Sequence, residues 1–503
     1  MRPDGEPASV LFDRGEGLTY HDFIILPGHI DFTADEVDLS SHVSRRIRLK
    51  CPLVSSPMDT VTESRMAIGL ALLGGLGVIH YNNRVEQQVA EVRKVKRFEN
   101  GFITDPVVLS PGHTIADVDR IHEQMGFSGI PITEDGTLKS HLVGIVTNRD
   151  IDFESERQRP LRDVMVTDLV TAPCGISLAE ANRILRESKK GKLPIVDENG
   201  RLVSLVSRTD LKKNRDYPDA TKDEHKQLRV GAAVSTRDED RERIAGLVEA
   251  GVDLLAIDAA QGDSVFQVKT IEHIKANHPH IDVLAGNAVT ARQCEHLVDA
   301  GADGIRVGMG PGSICITQDT MAVGRAQATA VYSCWQYCSE RNIPVVADGG
   351  IANTGCLVKA LSCGASAGMM GSMFAGTQEA PGDYVYKDGV RVKKYRGMAS
   401  LEAMERGGGK RYGYSERSIK VAQGVSGLVV DKGSMSDLVP YIVQSLRQSF
   451  QDIGVRTIPA LHEAIARGEV FYEQRSASAQ REGSVHSLLA YQEPVVGVRD
   501  EGP

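Results

Sequence analysis

A glycine-rich segment with a single cysteine is the part of the sequence best suited to covalent chemistry. The segment GMGPGSICIT spans Gly308–Thr317 and places Cys315 close to a serine and several glycines. Backbone N–H groups in such a loop approach a bound atom closely, and these donors favour the thiolate form that makes cysteine a nucleophile. Most of the other cysteines lie in helical or apolar contexts, where an inert buried thiol is the ordinary interpretation. The sequence therefore predicts Cys315 as the nucleophile.

Two more glycine-containing segments are suited to holding a phosphate group. They are DGGI (Asp348–Ile351) and GSMFAGT (Gly371–Thr377). Their glycines allow backbone N–H groups to reach phosphate oxygens, and Ser372 adds a hydroxyl donor. The alternative interpretation is that these glycines only tighten the turns between strands and helices.

Eight short apolar runs predict the scaffold that positions these segments. Most are separated by helical patterns, and continuous apolar strands alternating with helices indicate a parallel sheet covered on both faces. The runs are Cys51–Asp59, Gly75–His80, Val230–Ser235, Asp253–Ala260, Asp282–Asn287, Gly304–Gly308, Pro344–Gly350 and Ala367–Ser372. Eight such units predict an α/β fold of the (β/α)₈ TIM-barrel type, with its active site at the carboxyl ends of the strands. The two predicted phosphate segments then follow strands 7 and 8, where such barrels often bind phosphate.

The middle of the chain is an internal repeat, in which the segment Val107–Gly136 is echoed by Leu169–Gly200. The matched pairs, all at an offset of 63 residues, are Thr114 with Ser177, Asp117 with Glu180, and Pro131 with Pro194. The repeat resembles a tandem cystathionine-β-synthase (CBS) pair, also called a Bateman domain, and that resemblance implies a module that binds purine nucleotides. The alternative is a spacer between two parts of the barrel.

The repeat divides the chain into three parts. We expect residues 1–99 to form the first part of a catalytic barrel and residues 100–222 to form the module that resembles a tandem CBS pair, with repeats at about 100–160 and 163–222. We expect residues 223–503 to form the second part of the barrel, including a flap at 385–430 and a C-terminal segment.

Composition excludes several classes of protein. The chain has 58 Lys and Arg against 67 Asp and Glu, a formal net charge of −9, which argues against DNA or RNA as a main partner. No apolar run reaches the roughly 18 residues of a membrane span, and the N-terminal MRPDGEPASV lacks the apolar core of a secretory signal. Eight sparse cysteines suit a reducing compartment. These features predict a cytoplasmic protein that has no membrane partner.

Seven motifs, in order along nearly the whole chain, resemble the inosine-5′-monophosphate (IMP) dehydrogenase and guanosine monophosphate (GMP) reductase family. They are GLTYHDFIILPG (Gly17–Gly28), SSPMDTVTE (Ser55–Glu63), GSICIT, DGGI, KKYRGM (Lys393–Met398), KVAQGVSG (Lys420–Gly427) and EGSVHSL (Glu482–Leu488). The resemblance is closest to the dehydrogenases. It implies NAD-dependent oxidation of IMP to xanthosine monophosphate (XMP), the committed step of guanine nucleotide synthesis. It also implies a homotetramer, paired into octamers through the CBS modules.

The same resemblance implies the catalytic roles. Cys315 attacks C2 of the purine, a hydride leaves C2 for NAD, and the resulting covalent thioimidate is hydrolysed. Because water must stay out of the first step and enter the second, a flap has to move, and the glycines at 407–409 are its predicted hinge. On the flap, Arg411 is the general base for water and Tyr412 is its neighbour. Thr317 helps to position the water.

Three sets of binding residues are implied by the resemblance. The substrate set holds the ribose, phosphate and purine, and comprises Ser313, Asp348, Gly349, Gly350, Gly371, Ser372, Tyr395, Arg396, Gly397, Met398, Ala399 and Gln423. The cofactor set, for NAD, comprises Asp258, Ala259, Ala260, Gly308, Met309 and Gly310. The metal set, for a potassium ion, comprises Gly310, Gly312 and Cys315 together with Glu482, Gly483 and Ser484 from a neighbouring subunit.

Two alternatives to the dehydrogenase stay open, and a departure from the family pattern bears on the first. Dehydrogenases of the eukaryotic type carry Asp-Ser-Ser after strand 4, whereas this chain has Asp-Ala-Ala at 258–260, so the choice of cofactor is open. The first alternative is a GMP reductase, which uses the same cysteine, takes a hydride from NADPH and releases ammonia; Arg411 and Tyr412 favour the dehydrogenase. The second is a catalytically silent nucleotide-sensing protein, against which the retention of Cys315 and Thr317 argues.

Overall fold

The chain divides into two units. A computed structural model of all 503 residues describes residues 4–98, 102–103, 106–125, 129–207, 217–405 and 419–486. The first unit comprises Met1–Lys96, Asp219–Thr221 and Arg229–Pro503. The second comprises Arg97–Pro218 and Lys222–Leu228.

A closed barrel of eight parallel strands forms the centre of the first unit. The strands are β1 (Leu53–Ser55), β2 (Leu76–Ile79), β3 (Gly231–Val234), β4 (Leu254–Ile257), β5 (Asp282–Ala288), β6 (Gly304–Val307), β7 (Val345–Asp348) and β8 (Ala367–Met370). Neighbours follow the chain order, and β8 closes on β1 with Gly368 opposite Leu53. Each predicted apolar run supplies one strand, so the predicted (β/α)₈ barrel is confirmed.

A long helix follows each strand along the chain. These helices are α1 (Ser64–Leu72), α2 (Val85–Lys96), α3 (Asp240–Glu249), α4 (Val265–Asn277), α5 (Ala291–Asp299), α6 (Gln327–Ser339), α7 (Thr354–Ser362) and α8 (Met435–Ile453). Side chains fix several starts: Asn353, before α7, accepts a hydrogen bond from the Cys356 amide at 2.9 Å. Such caps satisfy N–H groups that have no partner within the first helical turn. No helix among the described residues has the length and apolar character that crossing a membrane requires.

Side chains fill the barrel interior. The buried cluster there draws on nearly every strand and includes Val54, Leu76, Val78, Ala233, Leu254, Ala256, Leu284, Val346, Ala367 and Met369. Because the interior is packed, a ligand site must lie at one end of the barrel, where loops replace strands.

Shorter elements complete the first unit. An antiparallel sheet of Val385–Lys387, Val390–Arg396 and Ser426–Val430 stands between β8 and α8 in the chain. The other strands are Glu6–Pro7, Phe23–Ile25 and Phe471–Gln474 in one sheet, and Ser41–His42 paired with Arg48–Leu49. The remaining helices, including one 3₁₀ turn at Ala34–Glu36, are Ala8–Leu11, Thr317–Met321, Leu401–Glu405, Ile458–Ala466 and Ala477–Glu482.

The second unit consists of two similar halves. Each contains a capped helix followed by an antiparallel strand pair, and each has its own buried cluster. The helices are Ile115–Met125 and Leu178–Ser188, with a short Asn148–Ile151 and a 3₁₀ turn at Leu161–Asp163. The strands are Phe102–Ile103, Gly129–Thr133, Leu142–Thr147, Ala172–Pro173, Lys192–Val196 and Leu202–Ser207. Thr114 and Ser177 cap the two main helices through Asp117 and Glu180, as expected from the repeated sequence.

Candidate active site

A cavity opens at the carboxyl ends of the barrel strands. It is walled by the loops that follow β6, β7 and β8 and by two segments within the predicted flap range, at residues 395–399 and 423–424. The predicted residues that line it are Ala260, Gly308, Met309, Gly310, Gly312, Ser313, Cys315, Thr317, Asp348, Gly349, Gly350, Gly371, Ser372, Tyr395, Gly397, Met398, Ala399 and Gln423. One cavity therefore brings together the predicted nucleophile, most of the predicted substrate residues and part of the predicted cofactor set.

The loop that carries Cys315 is held by its own backbone and by a neighbouring segment. The Cys315 amide donates to the Gly312 carbonyl at 2.9 Å, and Cys315 forms an antiparallel bridge with Gly424. The thiol Sγ lies 3.0 Å from the Thr317 hydroxyl. Because Cys315 is only partly buried, its sulfur is open to a ligand in the cavity while Thr317 Oγ1 stays within reach of the same atoms.

Gln423 belongs to the same hydrogen-bonded ladder. Its carbonyl accepts from the Ile316 amide at 2.9 Å, and its own amide donates to the Ala399 carbonyl at 3.1 Å. The nucleophile loop, the segment around Ala399 and the segment around Gln423 are therefore fixed to one another. A ring bound between them would meet the thiol and the Gln423 side chain in a set geometry.

A buried polar network orients Asp348. Its Oδ2 accepts from Arg306 Nε at 2.8 Å and from Asn287 Nδ2 at 2.9 Å. Arg306 is only 3 % exposed, and its Nη1 donates to Asp258 Oδ1 at 2.8 Å. Asn287 Nδ2 also donates to the Gly308 carbonyl at 2.6 Å. Because a buried guanidinium needs anionic partners, the two carboxylates and Arg306 hold each other in place.

Arg306 and Asn287 lie in the candidate site but were not predicted from the sequence. Both lie in runs predicted as buried strands, and both line the cavity. A charged residue inside a buried strand predicts an ion-pair partner nearby, because such a residue is rarely buried unless it is paired. Asn287 Oδ1 is buried and accepts no hydrogen bond from any described residue. That atom is thus an acceptor that a ligand would satisfy.

The loops after β7 and β8 form the end of the cavity suited to a phosphate. Gly349 and Gly350 have φ of +89° and +73°, values that residues with a side chain rarely adopt. With no side chains at these two positions, the backbone can approach a bound group closely. Burial raises the pKa of Tyr395 to about 12, while a hydrogen bond with Ser313 acts in the opposite direction. The phenol therefore stays protonated at neutral pH and remains a donor.

Lys432 is a third residue that the sequence analysis missed. Its Nζ donates to the carbonyl of Ser372 and, at 3.4 Å, to that of Met373. Burial lowers the pKa of this lysine. Nothing in its local sequence indicated this contact, which places an amino group directly behind the loop after β8.

Arg396, predicted to contact substrate, has its guanidinium elsewhere. Nε donates to Asp59 Oδ1 at 3.0 Å and Nη1 donates to Glu402 Oε1 at 2.9 Å. Arg396 does not line the cavity, although its neighbours Gly397 and Met398 do. Its contact with substrate stays a prediction, and its observed role is to join the β1 loop to the helix Leu401–Glu405.

Other predicted residues also lie apart from the cavity. Asp258 is turned towards Arg306, and neither it nor Ala259 lines the cavity. Arg411 and Tyr412 fall outside the described residues. The predicted metal residues Glu482, Gly483 and Ser484 are exposed at the end of a helix, so they are accessible to a neighbouring chain.

The cavity residues fit the groups that the family resemblance implies. The orphaned Asn287 Oδ1 lies in the same cavity as Ala260 and Gly308, and it suits an amide or hydroxyl donor of a dinucleotide. The described residues contain no cluster of His, Cys, Asp and Glu that would hold a metal ion. The predicted potassium set is of another kind, because it uses loop carbonyls such as those of Gly310 and Gly312, and carbonyl oxygens suit this ion.

Fold and site together define a (β/α)₈-barrel protein whose predicted cysteine nucleophile lies beside loops suited to a phosphate group. Residues 17–486 match the family model described as "IMP dehydrogenase / GMP reductase domain". The chain belongs to this family.

Curated relatives match nearly the whole chain. An inosine-5′-monophosphate dehydrogenase from Toxoplasma gondii is 50 % identical over 97 % of this chain and 99 % of its own length. One from Schizosaccharomyces pombe is 54 % identical over 95 % and 93 % of the two chains. One from Trypanosoma brucei brucei is 47 % identical over 97 % and 96 %.

A solved structure of similar shape carries a different name. It is a cysteine-to-alanine variant of GMP reductase from Trypanosoma brucei, in complex with guanosine 5′-monophosphate. The TM-score is 0.86 at 34 % identity, covering 94 % of this chain and 98 % of the other. The overall fold is thus shared by proteins with both names.

Proposed function

We propose that this protein catalyses the NAD-dependent oxidation of IMP to XMP. The observation that carries the proposal is one cavity in which Cys315 Sγ, the Thr317 hydroxyl and the oriented Asp348 carboxylate lie together with the loops after β7 and β8. A purine 5′-mononucleotide has the three features that this arrangement suits. They are an electrophilic ring carbon, ribose hydroxyls and a phosphate.

Cys315 supplies the electron pair that starts the reaction. Its sulfur forms a bond to C2 of the purine as the C2=N3 double bond opens and N3 takes the thiol proton. The tetrahedral C2 then releases its hydrogen as a hydride, and the double bond re-forms with loss of the N3 proton, leaving a thioimidate. Oxidised nicotinamide, when bound, accepts that hydride. Water adds to C2, the carbon–sulfur bond breaks, and the thiol is restored as XMP leaves. In balance, IMP, NAD and water become XMP, NADH and a proton.

The substrate is held at three points. Asp348 accepts from the ribose hydroxyls, while the Gly349–Gly350 and Gly371–Ser372 loops with Ser313 and Tyr395 donate to the phosphate. Met398 and Gln423 face the purine, and Gln423 reads its N1–O6 edge. Thr317, beside the sulfur, helps to position the water for hydrolysis.

The flap supplies the residues for hydrolysis. Arg411 acts as the general base and Tyr412 as its neighbour when the flap covers the adduct. Because an ordinary guanidinium stays protonated at neutral pH, this role requires a specially arranged site. An Arg411→Ala variant should keep the burst of reduced cofactor and lose most of the later hydrolysis. Equal loss of both phases would remove Arg411 from this role.

On the cofactor side, Ala260 and the Gly308–Gly310 backbone contact the dinucleotide, with Asp258 and Ala259 behind them. Carbonyls of Gly310, Gly312 and Cys315 hold a potassium ion. Glu482, Gly483 and Ser484 of a neighbouring subunit complete its shell in a homotetramer. The protein acts in the cytoplasm, and a polynucleotide is not its partner.

The second unit, which contains the internal repeat, is a tandem CBS module that binds purine nucleotides and pairs tetramers into octamers. Its two similar halves, each with a capped helix and its own buried cluster, support this assignment. Sedimentation of the whole protein with ATP, GTP and GDP tests it. A nucleotide-dependent change in oligomer size is expected, and unchanged sedimentation with all three contradicts it.

An absorbance assay of the reduced nicotinamide tests the catalytic proposal against GMP reductase, the second candidate. That candidate is favoured by the two alanines after Asp258 and by the similarity in shape to a GMP reductase. IMP with NAD should give a rising absorbance as NADH forms. GMP with NADPH should give an unchanged absorbance, because no NADPH is consumed. Consumption of NADPH with GMP, without NADH formation from IMP, would reverse the assignment.

A further inference from the structure

Gln327 joins two strand ends from outside the cavity. It is the first residue of α6 and is 2 % exposed. Its Nε2 donates to the Val307 carbonyl at 2.8 Å and to the Asp348 carbonyl at 3.1 Å. Val307 ends β6 and Asp348 ends β7. One amide group thus connects the two points from which the Cys315 loop and the loop after β7 begin.

The space around this amide is tightly filled. A Cβ on Gly308, the residue after β6, would lie 2.1 Å from the Asp348 carbonyl oxygen and 3.0 Å from Gln327 Nε2. A Cβ on Gly350 would lie 3.5 Å from the Gln327 Cβ. Both bonding partners of Gln327 are carbonyl oxygens, so only the NH₂ end of its side chain can face them. Position, orientation and neighbours are therefore all fixed.

We propose that Gln327 is a positioning residue that sets the distance between Cys315 and the ribose-binding Asp348. It does not line the Cys315 cavity and instead lines a neighbouring cavity that shares Gly310 and Gly350 with it, so it acts on a ligand beside Cys315 through the two strand ends. Asn287 binds the Asp348 carboxylate from the cavity side, whereas Gln327 binds the Asp348 backbone from the helix side. Both amides also hold the start of the Cys315 loop, at Gly308 and at Val307 respectively. The inference rests on the proposed function for the identity of the nucleotide.

A Gln327→Met variant removes both hydrogen bonds while keeping the length of the side chain. Without these two hydrogen bonds, the start of the Cys315 loop and the end of β7 are no longer held at a fixed distance from each other. We expect the Kd for IMP to rise about 10-fold or more and kcat/KM to fall by about 100-fold, the size that small misplacements of reacting groups produce. Gln336→Met, at an exposed site on the same helix, is the matched control and should leave both quantities unchanged.

Coupling to Asp348 separates positioning from a general structural role. A double-mutant cycle combines Gln327→Met with Asp348→Ala. The fold-loss of IMP affinity in the double variant should be smaller than the product of the two single fold-losses, because Gln327 no longer has the Asp348 side chain to position. The affinities are measured by calorimetry, so they need no turnover. If the wild-type protein binds IMP and GMP but does not oxidise IMP, the proposed function fails while the cycle still reports on Gln327. Fully multiplicative losses, or a folded Gln327→Met variant with wild-type affinity, would overturn the inference.

A Gln327→Glu variant gives a second test that survives if the methionine variant does not fold. An ionised carboxylate would face two carbonyl oxygens, and burial there raises its pKa. At lower pH the protonated acid donates one hydrogen bond again. The loss of nucleotide affinity relative to the wild type should therefore shrink by several-fold between pH 8.5 and pH 6, both values being chosen to bracket such a raised pKa. A ratio that does not change with pH would contradict the positioning role.

Discussion

The two ends of the barrel pair their buried carboxylates differently. At the amino ends of the strands, Asp253 and Asp282 each have a cationic partner of their own. Asp282 Oδ2 accepts from Ser44 Oγ at 2.6 Å, and its Oδ1 accepts from Arg46 Nε at 2.6 Å. Asp253 accepts from Lys96 Nζ and from the Val230 amide, both at 2.9 Å.

At the carboxyl ends, Asp258 and Asp348 share one guanidinium, that of Arg306. One buried amide oxygen, Asn287 Oδ1, lies in the cavity and accepts no hydrogen bond from the described residues. Since buried polar atoms normally have partners, this acceptor marks the end built for a ligand. The amino end is therefore expected to govern stability and the carboxyl end to govern activity.

The largest expected effect concerns Cys315. Replacing it with alanine removes the atom that bonds to the substrate, so kcat should fall by about 10⁴-fold or more. The thermal midpoint should stay close to that of the wild type, because the residue is only partly buried. Turnover and thermal unfolding are measured on the same preparation. Substantial residual turnover would place the nucleophile elsewhere.

At the amino end, Asp282→Ala should lower stability and leave catalysis alone. The side chain is 2 % exposed, and its loss leaves Ser44 and Arg46 without their acceptor. We expect a cost of about 2 kcal/mol, because the buried Ser44 hydroxyl loses its acceptor while the half-exposed Arg46 is solvated. Denaturant titration measures that cost. Glu340→Ala, an exposed partner of Arg341, is the control and should change stability by under about 1 kcal/mol.

If Asp282→Ala raised the KM for IMP at unchanged stability, the division between the two ends would be wrong.

His462 gives the amino end a pH dependence. Its Nε2 lies 3.1 Å from the Ala365 carbonyl, just before β8, and burial lowers the pKa of His462 to about 4. The unfolded chain has a histidine pKa near 6.5, so below that pH unfolding takes up a proton. Stability should fall as pH drops from about 6.5 to about 4, by roughly 1.4 kcal/mol per pH unit from this residue.

Denaturation midpoints of the wild type and of His462→Phe, compared across that range, measure this contribution. The variant should show the shallower dependence on pH, while the KM for IMP stays constant. Parallel curves for the two proteins would exclude His462 as the source.

The smallest expected effect is at Ala260, on the cofactor side of the cavity. Ala260→Ser restores a hydroxyl to the wall, and one added hydrogen bond of about 1 kcal/mol should lower the KM for NAD several-fold. The KM for IMP should not change. Ala477→Ser, at an exposed site in the last described helix, serves as the control. An unchanged KM for NAD would show that the dinucleotide does not reach Ala260.

Local patterns in the sequence predicted the barrel, because each strand is a short apolar run bounded by glycine or polar residues. The loop that carries Cys315 and the loop that begins after Asp348 were predictable for the same reason, since they follow such runs directly. The side-chain networks were not. Arg306 meets Asp258 and Asp348 only because neighbouring strands close into a barrel, and no local pattern reports those contacts.

Arg396 illustrates the same limit. Its motif suggested a contact with substrate, whereas the guanidinium binds Asp59, 337 residues away in the chain. A residue's place in a motif fixes its backbone, and partners from distant loops then decide where a long side chain points.

The covalent adduct on Cys315 tests the central claim most directly. The protein is mixed with IMP and NAD, quenched in acid during turnover, digested and examined by mass spectrometry. We predict that the peptide containing Cys315 gains the mass of a purine 5′-mononucleotide, that NADH appears, and that Cys315→Ala shows neither. An unmodified Cys315 peptide together with steady NADH formation would contradict the account.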